Sequence, residues 1–234
     1  MSGQPSAILL DVGGVFLLPS HAQIRAALRG IGHDVLEDDM IDRAHYLSVR
    51  AFPMDLDDAE AMTPYWDAYL KTYAGAVGVP AALVAEAVEH LRDAYVIGGL
   101  WSHLIEGSKE GLSRLVATGI PIGIVSNSDG TIEERLRRMG VLQVGPGVGI
   151  EVRCVIDSGA VGVEKPDPGI FDYALEVLDL PPNDVWYVGD TPGFDVVAAE
   201  GAGLRPLLMD PFDVNADYGA TTVPSLAGVI GLLA

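Results

Sequence analysis

The sequence predicts an α/β protein with a parallel central sheet and an all-helical insertion after the first strand. Its apolar runs are continuous rather than alternating, which is typical of strands covered on both faces. Helical patterns lie between the later runs, as crossovers between parallel strands require. More than one hundred residues separate the end of the first run, Asp11, from the end of the second, Ser126. One crossover helix does not fill such an interval, so we expect an inserted unit there.

Five short apolar runs are predicted to be strands, and each ends at a polar residue or at the Gly189-Asp190 pair. They are "AILL" before Asp11, "IPIGIV" before Ser126, "VRCVI" before Asp157, "VWYV" before Gly189-Asp190, and "LRPLLM" before Asp210. Helices are predicted in "SKEGLSRLVATG", "TIEERLRRMG", "PGIFDYALEVLDL", "GFDVVAAEGAG" and the C-terminal "VPSLAGVIGLL". The glycine-rich "VGPGVGI" is predicted to be a loop, because no helix follows it to form a phosphate cradle.

The insertion carries helical signals alone. They are "HAQIRAALRGIG", "EDDMIDRAHYLSVRAF", "AEAMTPYWDAYLKTYAGAVG" and "PAALVAEAVEHLRDAYVIGG". We therefore expect residues 1–18 and 98–234 to form the α/β core and residues 19–97 to form a helical cap. Six basic residues of the cap are the first places to look for substrate recognition, whereas "YWDAYLKTY" is expected to serve helix packing. The six are Arg25, Arg29, Arg43, Arg50, Lys71 and Arg92.

Composition excludes several classes of protein. Fourteen basic against thirty-three acidic residues give a formal charge of −19, which repels nucleic acid and anionic membrane surfaces. The sequence contains no run of about 18 apolar residues, so no membrane span is predicted. The opening "MSGQPS" lacks the features of a secretion signal, and the one cysteine, Cys154, fits a reducing compartment. We expect a cytoplasmic protein with a small-molecule partner; the sequence does not predict its oligomeric state.

The chemistry of the chain gathers at the predicted strand ends, because the carboxyl ends of parallel strands meet at one edge of a sheet. Asp190 and Asp195 lie five residues apart in "VGDTPGFD", and two carboxylates so placed can share a hard cation such as Mg²⁺. Lys165 lies in "VEKPDPGIF", where two prolines stiffen the loop. Each of these residues taken alone is more often a turn residue, a helix cap or a solvated side chain.

Taken together, four motifs resemble one known family. "LLDVGG", "IVSNS", "EKPDPGIFDYAL" and "VGDTPGFDVVAAEGAG" occur in the order and spacing of the haloacid dehalogenase-like hydrolase superfamily. The chain resembles a member with a helical cap between the first and second motifs. The resemblance implies a Rossmann-like α/β core, and it covers that core completely.

The resemblance also implies a nucleophile and a metal site. Asp11 would be the carboxylate nucleophile that forms an aspartyl-phosphate. Mg²⁺ would be held by Asp11, the carbonyl oxygen of Gly13 and Asp190, with Asp195 supporting it directly or through water. The positive charge would offset the repulsion between an anionic nucleophile and a phosphate.

Three further residues would contact the phosphoryl group, again by resemblance. Ser126 would hydrogen-bond a phosphoryl oxygen, with the backbone of Asn127 close by. Lys165 would neutralise the transferring group and hold Asp11 in place, as cations do in phosphoryl transfer generally. Catalysis is thus expected from Asp11, Ser126 and Lys165, and substrate binding from Asn127, Ser126 and Lys165.

Gly13 departs from the pattern of the phosphatases that the chain resembles, in which a second Asp at this position serves as general acid and base. Losing that help typically costs about 10² to 10⁴ in rate. Three alternatives follow. The first is a phosphatase in which water, Asp129, a cap carboxylate or a group on the substrate stands in. The second is a 2-haloacid dehalogenase, whose halide leaves without a proton, and the third is an impaired binding or regulatory protein. The intact metal-type "GDTPGFD" favours a phosphatase acting on a small phosphorylated metabolite, whereas dehalogenases resemble D-x-Y-G-T at their start.

Overall fold

A computed structural model describes residues 3–34, 37–52, 62–96 and 99–233 of the protein. In these residues the central sheet is parallel throughout. Within those ranges six strands lie in the order β10-β9-β8-β1-β4-β7, and every neighbouring pair is parallel. The bounds are β1 Ala7–Leu10, β4 Ile122–Ser126, β7 Val155–Asp157, β8 Val185–Gly189, β9 Arg205–Met209 and β10 Thr221–Val223. The predicted α/β fold class is confirmed.

Helices cover both faces of the sheet, and the alternation of side chains along β1 shows why. Ile8 and Leu10 belong to one apolar cluster, whereas Ala7 and Leu9 belong to another on the opposite face. The helices of this core are α5 Ser108–Val116, α6 Ile132–Arg138, α7 Ser158–Val161, α8 Ile170–Leu178, α9 Val197–Gly201 and α10 Leu226–Gly231. No helix in the described ranges is long and apolar enough to cross a bilayer.

Four helices lie between β2 and β3, a short antiparallel pair that begins and ends the insertion. The strands are β2 Leu17–Pro19 and β3 Trp101–Leu104, and the helices are α1 His21–Arg29, α2 Asp38–Ser48, α3 Met62–Ala76 and α4 Val84–Val96. These helices share an apolar cluster of their own, which includes Leu28, Ile41, Tyr73 and Leu91. We call residues between β2 and β3 the helical insertion. The predicted cap boundary, at residues 97 and 98, lies outside the described residues.

The smallest strands, each of three or four residues, were not predicted from the sequence. Besides β2, β3 and β10, they are β5 Leu142–Val144 and β6 Ile150–Val152, which pair with each other on either side of the predicted "VGPGVGI" loop. The predicted single strand "VRCVI" is divided, because its start pairs with β5 and its end, β7, pairs with β4. A continuous apolar run therefore supplies two different sheets.

The chain reverses its direction of travel across the sheet between β1 and β8. From β1 it proceeds to β4 and β7 on one side, and from β8 to β9 and β10 on the other. Such a switch point leaves a crevice at the carboxyl ends of the two central strands, where ligands bind in open α/β sheets. The candidate site is at this crevice.

Two of the polar strand ends serve the backbone rather than the crevice. Asp157 is buried, and its carboxylate accepts the backbone N–H groups of Gly130, Ile132 and Gly159 at 2.9, 3.1 and 3.0 Å. Asp210 in the same way accepts two N–H groups of the loop after β9. Both residues therefore fix loops beside the sheet, and neither lines the candidate site.

Replacing Asp157 by Ala would leave three backbone donors without their carboxylate acceptor. Because hydrogen bonds to charged groups contribute about 1.5–3 kcal/mol each and buried unpaired groups are costly, we expect the free energy of unfolding to fall by at least about 2 kcal/mol. Urea denaturation measures the change. Asp93→Ala, at an exposed position of α4, is the matched control. An Asp157 variant as stable as the control would contradict this account.

Candidate active site

Three carboxylates meet at the crevice between β1 and β8. Asp11 follows β1, Asp190 follows β8, and Asp195 lies in a turn of π-helix at Pro192–Val196. All three are buried, and one oxygen of each lies within 4.8 Å of one oxygen of both others. The structure thus brings together the carboxylates that the sequence predicted as metal ligands.

Two glycines make this close approach of the backbones possible. Gly14 has φ +61°, and a Cβ added there would lie 2.2 Å from Cγ of Asp190. A Cβ on Gly189 would lie 2.3 Å from Cγ of Asp195. Gly13 is different, because a Cβ there would meet its nearest neighbour, the indole of Trp101, at an ordinary 3.5 Å. Gly14 is therefore required by the fold, whereas position 13 has room for a Cβ atom.

Lys165 lies in the middle of the carboxylates. Its Nζ is 3.0 Å from Oδ2 of Asp11 and 2.6 Å from Oδ1 of Asp195, and it donates to the hydroxyl of Tyr187 at 2.7 Å. Burial by itself would lower the pKa of Lys165, but the charges of Asp11 and Asp195 outweigh burial and raise that pKa. The ammonium therefore stays charged at the centre of the site.

Asp11 is placed and tuned by its surroundings. The backbone N–H of Val12 donates to Oδ1 at 2.7 Å, which fixes the orientation of the carboxylate. Burial raises the pKa of Asp11 to about 7; Lys165 acts in the opposite direction, and the neighbouring carboxylates add to the rise. A cation among these carboxylates would favour the ionised form.

The loop that carries Lys165 is tied to the end of β4. The side-chain amide of Asn127 donates to the carbonyl oxygen of Lys165 and accepts its N–H, both at 2.8 Å. Ser126 and Asn127 line the same cavity as Lys165. Sequence analysis missed Tyr187, whose hydroxyl lies 3.0 Å from Oδ1 of Asp195 and 3.1 Å from the carbonyl oxygen of Val125 and can donate its one proton to either. Nothing in the local sequence indicates a functional role for this tyrosine, because it lies in the apolar run "VWYV" and looks like one more buried strand residue.

The helical insertion contributes a histidine to the site. His45 of α2 is buried; its Nε2 is 2.7 Å from Oδ2 of Asp190, and its Nδ1 is 2.8 Å from the hydroxyl of Tyr69. His21, also in the insertion, instead contacts Asp42 at 2.6 Å and does not line the cavity. His45 lies on the buried face of α2, and its contact with Asp190 depends on how the insertion packs on the core.

A cavity of about 560 Å³ opens over the carboxylates. The core supplies its polar floor, with Asp11, Gly13, Ser126, Asn127, Lys165, Asp190 and Asp195 in the lining. The helical insertion supplies His45, Val49, Phe52, Trp66 and Tyr69. A volume of this size suits a small organic ligand.

The cap cations do not face this cavity, which corrects the expectation that they recognise substrate. None of the six lies in its described lining. Arg25, Arg29, Arg50 and Arg92 are paired with carboxylates elsewhere on the surface. Asp129 does line the cavity, but hydrogen bonds from Thr131 and the charge of Arg135 lower its pKa, so it is ionised at neutral pH.

The donor set fits a hard divalent cation. Three buried carboxylates face one buried ammonium, so the cluster carries an excess of negative charge when all are ionised. Buried charges need compensation, and carboxylate oxygens are the ligands that Mg²⁺ prefers.

The sequence as a whole was compared with known proteins. A model of the haloacid dehalogenase-like hydrolases matches residues 5–203. The chain belongs to this family. A relative from Xenopus laevis, haloacid dehalogenase-like hydrolase domain-containing protein 3, is 31% identical over 108 residues, which are 46% of this chain and 41% of the relative. The predicted membership of the superfamily is confirmed, and this member is a hydrolase by family.

Two further similarities complete the comparison. Ribulose-1,5-bisphosphate 5-phosphatase from Halopiger xanaduensis is 32% identical over 124 residues, which are 50% of this chain and 49% of that protein. The chain thus spans less than half the length of both curated relatives. A solved structure described as a dehalogenase with an intermediate complex has a TM-score of 0.62 and 18% identity, and the match covers 100% of this chain and 99% of the other. At that identity the likeness shows the fold alone.

His45 is expected to orient Asp190 for the cation. Partners that hydrogen-bond a metal ligand typically contribute 10–100-fold to metal affinity, so His45→Ala should weaken Mg²⁺ binding by at least about 10-fold. His45→Gln, which keeps a donor near Asp190, should lose less. Isothermal titration calorimetry with Mg²⁺ measures both. His33→Ala, a histidine of the insertion that binds the carbonyl of Val77, is the control. Unchanged affinity in His45→Ala would refute the role.

Proposed function

We propose that this protein is a Mg²⁺-dependent phosphohydrolase that acts on a small phosphorylated metabolite through an aspartyl-phosphate on Asp11. The observation that carries the proposal is the buried cluster of Asp11, Asp190 and Asp195 around one lysine, at the floor of a cavity large enough for a metabolite. The phosphatase named among its relatives supports the same class of reaction.

Asp11, Asp190, Asp195 and the carbonyl oxygen of Gly13 would hold the Mg²⁺. When bound, the ion would offset the repulsion between carboxylate and phosphate and polarise a phosphoryl oxygen. His45 and Tyr187 would not touch the ion. His45, from the insertion, would hold Asp190, and Tyr187, from β8, would hold Asp195.

The residues of the chain account for both half-reactions. An oxygen of Asp11 would attack phosphorus, the ester P–O bond would break, and its electron pair would leave with the ester oxygen. A water would then attack the phosphorus of the aspartyl-phosphate, and the P–O bond to Asp11 would break with its electron pair returning to the carboxylate. The proton lost by the water would pass to solvent, and inorganic phosphate would leave. Lys165 and Ser126 would hold the phosphoryl oxygens, as positioned donors do in phosphoryl transfer.

Gly13 supplies no proton to the leaving oxygen, and the structure argues against Asp129 as its substitute. An ionised Asp129 paired with Arg135 at 3.4 Å is a poor acid. We therefore expect the enzyme to favour leaving groups that need little protonation, or substrates in which solvent or the substrate itself supplies the proton. A haloacid dehalogenase is the less favoured alternative. Halide leaves carbon without help from a metal ion, whereas the carboxylate cluster of this site suits a bound cation.

The remaining expectations belong to this proposal. The helical insertion would act as a cap that excludes water from the cavity, within the predicted boundaries 19–97. The substrate would be a small phosphorylated molecule, with no nucleic acid or membrane as partner. The cytoplasmic location stays a prediction from composition and cysteine use.

Hydrolysis of an activated aryl phosphate tests the nucleophile and the metal together. Wild-type protein with Mg²⁺ should release phosphate, and chelator should abolish the release. Asp11→Asn should lose at least about 10³-fold in kcat, because it removes the attacking carboxylate. Asp129→Asn, a carboxylate of the same cavity, should stay within a few-fold of wild type. If the wild type is inactive, haloacids are tried next as substrates. A protein that hydrolyses neither class of compound but still binds Mg²⁺ and vanadate would be a binding protein.

Gly13→Asp introduces the missing acid at a position where an added Cβ meets its neighbours at ordinary contact distance. We expect turnover of alkyl phosphates to rise by about 10-fold or more, while turnover of aryl phosphates, whose phenolate leaves readily, changes little. Steady-state kinetics on an alkyl and an aryl phosphate give the two ratios. Equal effects on both, or a loss on both, would show that the absent acid does not limit the reaction.

A further inference from the structure

We propose that the cavity selects phosphate monoesters whose leaving group carries an aromatic ring or a comparable flat apolar group, and that it rejects leaving groups with a second negative charge. The inference rests on the proposed function, since it assigns the substrate class of the same cavity. The stretch "YWDAYLKTY" does serve helix packing as expected, and two of its rings, Trp66 and Tyr69, also line the cavity.

Five aromatic rings form a continuous wall of the cavity. They are Phe52, Trp66, Tyr69, Trp101 and Phe194, and all are in its lining. Phe52 contacts Trp66, Tyr69 and Phe194 with ring centroids 5.2, 5.8 and 4.6 Å apart. Trp66 contacts Trp101 at 6.1 Å. We call these five residues the aromatic wall. Phe52, Tyr69 and Phe194 are buried in the apolar cluster of the insertion, whereas Trp66 and Trp101 are only partly buried, so a ligand ring would meet these two tryptophans by stacking or edge contact.

The aromatic wall begins beside the nucleophile. Trp101 lies 3.5 Å from the position of a Cβ on Gly13, two residues after Asp11. Tyr69 is joined to the carboxylate cluster through His45, which contacts Tyr69 at 2.8 Å and Asp190 at 2.7 Å. A phosphate ester with its phosphorus at Asp11 would therefore place the rest of the molecule against the rings.

The charges of the cavity oppose a second anionic group. Its described lining contains two Lys or Arg residues, Lys165 and Arg135, and both already face carboxylates. The lining also contains the carboxylates of Asp11, Asp129, Glu164, Asp190 and Asp195. A substrate carboxylate or second phosphate would meet repulsion without a compensating cation.

Three phosphates with primary alkoxide leaving groups separate this preference from leaving-group reactivity. They are 2-phenylethyl, propyl and 2-carboxyethyl phosphate. With Mg²⁺-loaded wild-type protein we expect kcat/KM to be at least about 10-fold higher for the phenylethyl than for the propyl ester, and lowest for the carboxyethyl ester. Equal values, or the highest value for the carboxyethyl ester, would overturn the inference while leaving the phosphohydrolase intact.

Variants of the aromatic wall assign the preference to its rings. Trp66→Leu should lower kcat/KM for the phenylethyl ester toward that of the propyl ester, and Trp66→Phe should retain most of the difference. Tyr173→Leu, at an exposed aromatic position of α8, is the matched control. A preference that survives Trp66→Leu and Trp101→Leu would overturn the role of the wall.

Binding of phosphonates keeps the test decisive if no ester is hydrolysed. Benzylphosphonate and phosphonoacetate have no ester bond to break, and calorimetry in the presence of Mg²⁺ measures both. Tighter binding of benzylphosphonate by at least about 10-fold, lost in Trp66→Leu, would support the aromatic site even where the proposed hydrolysis fails. Equal binding, tighter binding of phosphonoacetate, or no binding of either would overturn it.

Discussion

The buried ammonium of Lys165 is the interaction on which the rest of the site depends. It contacts Asp11 after β1, Asp195 after β8, and Tyr187 within β8, so it joins the two central strands to the loop before α8. Without it three carboxylates would face one another in a water-poor crevice, at a cost that burial makes large. The same lysine leaves the cluster negative enough to attract a cation, so structural stability and the proposed chemistry share one arrangement of charges.

The crevice assigns different tasks to the two parts of the protein. The core supplies nearly all the polar groups, and it can bring them this close because Gly14 and Gly189 leave the neighbouring backbone unobstructed. In the described lining, the helical insertion supplies apolar and aromatic surface and the imidazole of His45. The reaction would therefore be set by the core, and the choice of leaving group by the insertion.

Gly13 and the aromatic wall are two aspects of the same region. The space beside Gly13 faces the indole of Trp101 rather than a carboxylate, so a leaving group placed there would meet an aromatic ring and no carboxylic acid. A leaving group that is flat, apolar and undemanding of protons suits both features. Selection by shape and apolar contact would then take the place of selection by ion pairing, which the acidic cavity does not offer to a second anion.

Sequence alone determined the fold class and the position of the insertion. It also determined which carboxylates and which lysine gather at the sheet edge, because parallel strands align their ends there and the four motifs identify the residues. The position at a strand end did not by itself separate Asp157, whose carboxylate accepts three backbone N–H groups, from Asp190, which faces the crevice; the "GDTPGFD" motif around Asp190 was needed for that. Only the tertiary structure decided that His45 contacts Asp190 and that aromatic rings rather than cap cations line the cavity. Those contacts depend on how the insertion packs against the core, and no local periodicity encodes a contact across 145 positions of the chain.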